Sequence, residues 1–182
     1  MPLLVAVAVV LQLLLAATFV VIPIAVWRSG AAAQQAAEAE VVRQGHPAEI
    51  LARHGIRFAE QPWEFLLALA IAACLSALAA LNIAGNETGR VLSWIVEPLI
   101  LLLVGSVIAS QVFARRFTEA AFRKSSDAGA RTIDVRAVLA AVGMGFPSWV
   151  RPLVLVRFPL ATAGSLLVIL LLSTGAADTY FR

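Results

Sequence analysis

Four apolar runs, at residues 3–27, 63–81, 91–114 and 153–174, set the limits on what this chain can fold into. Crossing a bilayer as a helix takes about 20 predominantly apolar residues, and each run meets or approaches that length. In hydrocarbon, backbone N–H and C=O groups must be satisfied internally, so such runs form helices. The expected fold is all-α: a polytopic membrane protein built as a four-transmembrane-helix bundle, with short cytoplasmic surface helices between spans. Composition agrees. The chain is 61% hydrophobic and 14% charged, against roughly 25% charged in soluble domains. A single integral membrane domain over residues 1–182 is expected, with loops at 28–62 and 115–152.

The first run has no cation before it and is longer than the apolar core of a signal peptide, so it reads as a retained helix. Ala31-Ala32-Ala33 has the small-residue pattern of a cleavage site and is the alternative. Residues 31–44 are rich in Ala, Gln and Glu, all good helix formers. Gly45 reads as a stop, and Pro47 as the start of a second short helix ending near Gly55. The run at 63–81 is alanine-rich, with Ala68, Ala72, Ala73, Ala77 and Ala80, which permits close helix approach. Residues 82–90, with Gly85-Asn86 and Gly89, read as a tight turn. The third run, about 36 Å of helix, carries the small pairs Gly105/Ala109 and Ser106/Ser110. Beyond it, Phe117, Ala121 and Phe122 read as one apolar stripe among Arg115, Arg116, Arg123 and Lys124. Residues 125–129 break that helix. Residues 132–142 place Ile133, Ala137, Val138, Ala141 and Val142 at helical spacing. They are expected along the membrane surface or against the bundle, with Arg131 and Arg136 toward anionic lipid or a partner.

The basic residues set the expected orientation. Eleven Lys/Arg fall in the two long loops, and two, Arg90 and Arg182, on the opposite face. By the positive-inside rule the long loops are cytoplasmic and both termini extracytoplasmic, in a cell membrane. Trp27, Trp63 and Trp149 mark one boundary and Trp94 the other, as an aromatic belt does. Thirteen of the fourteen basic residues are Arg, a bias that goes with a GC-rich bacterial genome. The net charge of +3 is accounted for by loop cations, so no nucleic-acid partner is expected.

Glu97, followed by Pro98, is an acid well inside a span. Ionisable groups at such depth are functional candidates and usually face the bundle interior. Three readings stand: a functional group, a neutral acid hydrogen-bonded to another helix, or a side chain wetted from the interface. Pro98 deprives the Trp94 carbonyl of its helical donor. Depth along the spans makes Gln12 and Ser76 the expected partners. Arg157 lies about 18 Å away along the bilayer normal and is expected to snorkel or to meet Glu60 or Glu64. Arg115, Arg116, Arg123, Lys124, Arg131, Arg136 and Arg157 are thus the expected interfacial contacts with lipid or a partner.

Nothing in the chain spells a reaction. Cys74 is the single cysteine, so no intrachain disulfide or cysteine metal cluster is available. No predicted span contains a histidine, which argues against haem held within the bundle. His46 and His54 lack supporting ligands. Gly143-Met144-Gly145 lacks the Lys-Ser/Thr of a phosphate loop, and neither H-E-x-x-H nor G-x-S-x-G occurs. Asn86-Glu87-Thr88 matches a glycosylation acceptor by chance. No cofactor, metal or small-molecule substrate is expected. The reading is a non-catalytic integral membrane protein: a scaffold, an accessory or assembly subunit, or a regulator acting through its cytoplasmic loops. Its partners are the lipid bilayer and a protein or a second copy of the chain. The alternative is a small transporter or oligomeric channel using Glu97.

Overall fold

The computed structural model describes residues 1–124 and 129–181. Among them the chain is all-helical, and four helices are long and apolar enough to cross a bilayer. The helices are α1 (Leu3–Arg43), α2 (Ile50–Arg53), α3 (Pro62–Ile83), α4 (Glu87–Leu99), α5 (Gly105–Val112), α6 (Ala114–Arg123), α7 (Val135–Gly145), α8 (Val150–Pro159), α9 (Ser165–Leu172) and α10 (Gly175–Tyr180). A π-helical turn, Ile100–Val104, joins α4 to α5, and another, Leu160–Gly164, joins α8 to α9. Each follows a proline, Pro98 or Pro159, and the two wide turns pack on one another. The chain divides into two compact units.

The first unit comprises Met1–Val21, Leu66–Val112 and Leu153–Arg182. Its helices bury stripes that repeat at three- and four-residue steps, the spacing that keeps side chains on one helix face. On α1 the stripe is Val5, Ala8, Val9, Gln12, Leu15, Ala16 and Phe19; on α3 it is Ala68, Ala72, Leu75, Ala79 and Asn82. These stripes form two apolar cores. One gathers Leu15, Phe19, Ala72, Leu75, Ile108 and Ala161, the other Val5, Ala8, Ala79, Val168, Leu172 and Phe181. The alanines of α3 do not all serve packing: Ala68, Ala72 and Ala79 are buried, whereas Ala73, Ala77 and Ala80 are exposed. Gly105 is buried against Thr162, and Ser106 faces outward.

The turn between α3 and α4 is shorter than expected. Helix α3 runs on through Ile83, and α4 already begins at Glu87, capped by Asn86, whose side chain accepts from Thr88 N at 2.8 Å. Gly85 adopts φ +66°, a left-handed conformation that glycine takes without steric cost. Arg90 clasps α10: its guanidinium donates to the Leu172 carbonyl at 2.9 Å and to Asp178 at 2.8 Å, and stacks 4.7 Å over Trp94.

The second unit comprises Ile22–Phe65 and Phe113–Pro152. The sequence suggests separate short helices lying on a surface. Instead the two inter-span segments share one core, with Ala33, Ala37, Val41, Ile50 and Leu51 from the first and Phe122, Ile133, Val135, Val138 and Val142 from the second. The apolar face of α7 is therefore covered by protein. The span expected at 3–27 and the helix-forming residues 31–44 belong to one helix, α1, which continues to Arg43. Gly30 fits there because a Cβ at this position would stand 3.0 Å from Ala59 Cα and 3.1 Å from the Phe58 carbonyl oxygen. Gly45, at φ +84°, turns the chain after α1. Gln44 then clamps the start of α7, accepting from Asp134 N at 2.7 Å, while the Asp134 carboxylate caps Arg136 N and Ala137 N. Phe117 and Phe122 do not form one stripe: Phe122 is buried and Phe117 is exposed. The break expected from residue 125 lies outside the described residues up to 128; α6 itself ends at Arg123.

Candidate functional site

Between its two apolar cores the first unit buries a polar cluster. Gln12, Asn82, Ser93, Glu97 and Ser165 are each no more than 1% exposed. Four elements contribute: α1, α3, α4 and α9. In every case the polar residue occupies a position in its helix's buried stripe, so packing itself drives the groups together. Ser93 and Glu97 follow Gly89 at four-residue steps on α4, and Ser165 precedes Val168 and Leu172 on α9.

The hydrogen bonds run in one direction. Asn82 Nδ2 donates to Gln12 Oε1 at 3.1 Å and to Ser93 Oγ at 3.0 Å. Gln12 Nε2 donates to Ser93 Oγ at 3.2 Å and to Glu97 Oε1 at 3.0 Å. Ser93 gives its hydroxyl hydrogen to the Gly89 carbonyl at 2.8 Å. Both amide groups have spent their donors, and the Glu97 carboxyl is the terminal acceptor. Ser165 lies beside that carboxyl, but its buried Oγ makes no well-formed hydrogen bond, and Asn82 Oδ1 is likewise left without a donor. A neutral Glu97 could give its O–H to Ser165 Oγ; an ionised one is served by Gln12. The cluster can thus accept either form of the acid by rotating a hydroxyl, with no change of helix packing. Gly89 is part of the construction, since a Cβ there would sit 2.5 Å from Leu81 Cβ and 3.1 Å from Asn82 Oδ1.

Of the residues singled out in the sequence, Glu97 and Gln12 meet directly. Ser76 does not join them: it is exposed, and its hydroxyl turns back to the Ala72 carbonyl of its own helix at 2.8 Å. Serine often closes this local bond when no partner faces it. Arg157 also differs from the expectation of an interfacial, snorkelling side chain. It is buried at 4% exposure, donates to Gln111 Oε1 and stacks 5.2 Å from the Phe19 ring. Of the two acids expected near Arg157, Glu60 and Glu64, Glu64 receives Arg57 at 3.2 Å and accepts from Gln61 N at 2.7 Å.

In the second unit, Arg115, Arg116, Arg123, Lys124, Arg131 and Arg136 are all exposed. Arg115 pairs with Glu119 at 2.6 Å. His46 Nε2 lies 3.2 Å from Thr132 Oγ1, and His54 Nδ1 lies 2.8 Å from the Ile50 carbonyl, edge-on to Phe122. Among the described residues no group of three or more His, Cys, Asp or Glu is disposed to hold a metal ion.

Asn82, Ser93 and Ser165 escape a reading based on depth, which counts residues from each span's centre and assigns 82–90 to a turn. The signal that finds them is register: each is in phase with the small and apolar residues of its own buried stripe. Comparison with protein-family models, curated proteins and solved structures finds no match to this chain.

Proposed function

We propose that this is a multipass membrane protein without catalytic machinery of its own, which works as a scaffold, an accessory or assembly subunit, or a regulator. Its contacts are made by the unit that the two inter-span segments build, on the cytoplasmic side of a cell membrane, with both termini on the other side. One observation supports this reading above the rest: those segments, far apart in the sequence, share a single apolar core while carrying eleven Lys/Arg. Linkers whose only task is to join spans need no common core. The polar cluster around Glu97 then serves as the lock of the first unit, fixing which helix faces meet. Native mass spectrometry of the protein extracted from its own membranes tests this. A heteromeric mass supports it; a homo-oligomer with no second component contradicts it.

A second reading, a small transporter or oligomeric channel using Glu97, is favoured by the acceptor left over beside the acid, Ser165 Oγ. Glu97→Gln and Glu97→Leu separate the two. If the acid only locks the bundle, Gln preserves assembly and function while Leu impairs both. If it carries protons or a cation, Gln abolishes function as fully as Leu in a protein that still assembles.

A further inference from the structure

Helix α6 has two faces with opposite destinations. Phe122 points into the core of the second unit. On the other side Phe113, at the head of the helix, and Phe117 are 42% and 55% exposed. Ala120 and Lys124 continue that face at helical spacing, and Arg116 and Arg123, seven residues apart, run along its edge. Arg116 lies 5.8 Å from the Phe113 ring. Four cations and one acid, Glu119, occupy residues 114–124, and Glu119 is engaged by Arg115. An exposed aromatic strip bordered by cations is the surface of a helix lying in a headgroup layer, aromatics between the lipids and cations at the phosphates. Chain connectivity supplies the location: α6 starts at Ala114, two residues after the helix that completes the third candidate span ends at Val112. A cluster of four Lys/Arg next to a span is the charge pattern that anionic lipid recognises.

We propose that α6 docks on the anionic lipid surface, with Phe113 and Phe117 inserted and Arg116, Arg123 and Lys124 paired with lipid phosphates. The occupant is lipid, because Arg116 and Arg123 run along the edge of the aromatic strip for the length of the helix, directly after the third candidate span. This rests on the reading that the four long helices span a bilayer.

The test is amide hydrogen exchange of the full chain in nanodiscs, of phosphatidylcholine alone or of an equimolar mixture with phosphatidylglycerol. The expected result is exchange about tenfold slower over α6 in the anionic discs, with the difference erased by high salt. Arg116→Gln combined with Arg123→Gln and Lys124→Gln should abolish the difference, whereas Arg116→Lys with Arg123→Lys should keep it. Phe117→Ser should weaken it at unchanged charge. Unaltered protection of α7 in each variant reports an intact second unit. Equal exchange in the two disc types would overturn the proposal and leave the face to a protein partner. A chain that does not enter discs of either composition would overturn the membrane reading as well.

Discussion

Gln12 does more in the cluster than Glu97. It accepts from Asn82 and donates to both Ser93 and Glu97, so it joins three other side chains. Side-chain hydrogen bonds in membranes average about 0.6 kcal/mol each. Gln12→Leu is therefore expected to cost about 2 kcal/mol, and Glu97→Gln close to nothing, in reversible unfolding from mixed micelles. An equal cost for the two would show that the acid carries the cluster by itself. A second residue-scale expectation concerns Glu40. Arg43 donates to it at 2.6 and 2.7 Å and Gln44 at 2.8 Å, which holds its carboxyl well below the ordinary value of 4.5, at about 2. An acid whose pKa is depressed by folding contributes stability above its unfolded value and loses it as pH falls toward the folded one. The gap in thermal midpoint between the native chain and Glu40→Gln should be constant above pH 4.5 and close as pH approaches 2. A gap that does not change across that interval would contradict the pairing.

At the scale of the element, α7 meets α1 so closely that only glycine fits at the contact. A Cβ on Gly145 would stand 2.5 Å from Ala33 Cα and 2.7 Å from Ala33 N. Overpacking of this kind costs about 1–3 kcal/mol. Gly145→Ala should lower the thermal midpoint measurably, and Gly143→Ala, which would meet nothing within 4 Å, should not. The sequence shows Gly145 only as a terminator, because a tight approach between distant segments leaves no local signature. The same limit explains what could be read and what could not. The four long apolar runs are visible because bilayer length is a one-dimensional quantity. The continuity of α1 past Trp27 is not, because the change from apolar to polar residues at Arg28 ends the span without showing whether the helix ends with it. Gln12 and Glu97 stand out as polar residues in apolar runs. Asn82 hides at the edge of one, close to Gly85, which does form a turn. Nothing in the residues before Pro98 and Pro159 announces that both will be followed by a π-helical turn.

For the whole molecule, the quantity to be measured first is orientation. Eleven Lys/Arg in the inter-span segments against two elsewhere set the expectation that those segments face the cytoplasm. In a Cys74→Ser background, Thr88→Cys should react with a membrane-impermeant maleimide on intact cells, and Ser148→Cys should react only after lysis. Both positions are exposed, so the reversed pattern would invert the topology.

The hydrogen bonds of the cluster also follow the order of synthesis. A ribosome delivers Gln12 first, then Asn82, then Ser93 and Glu97, and Ser165 last. On the reading that the long helices span a bilayer, the acid, the most costly of these groups to leave alone in hydrocarbon, would enter it after the amide that holds it. The hairpin of α3 and α4, closed by three residues, brings Asn82 and Ser93 across together. A nascent chain arranged this way would offer a partner to each polar side chain that follows Gln12. Loss of Gln12 would then be felt during biogenesis, as failure of the third span to stay inserted, before it was felt in the finished protein.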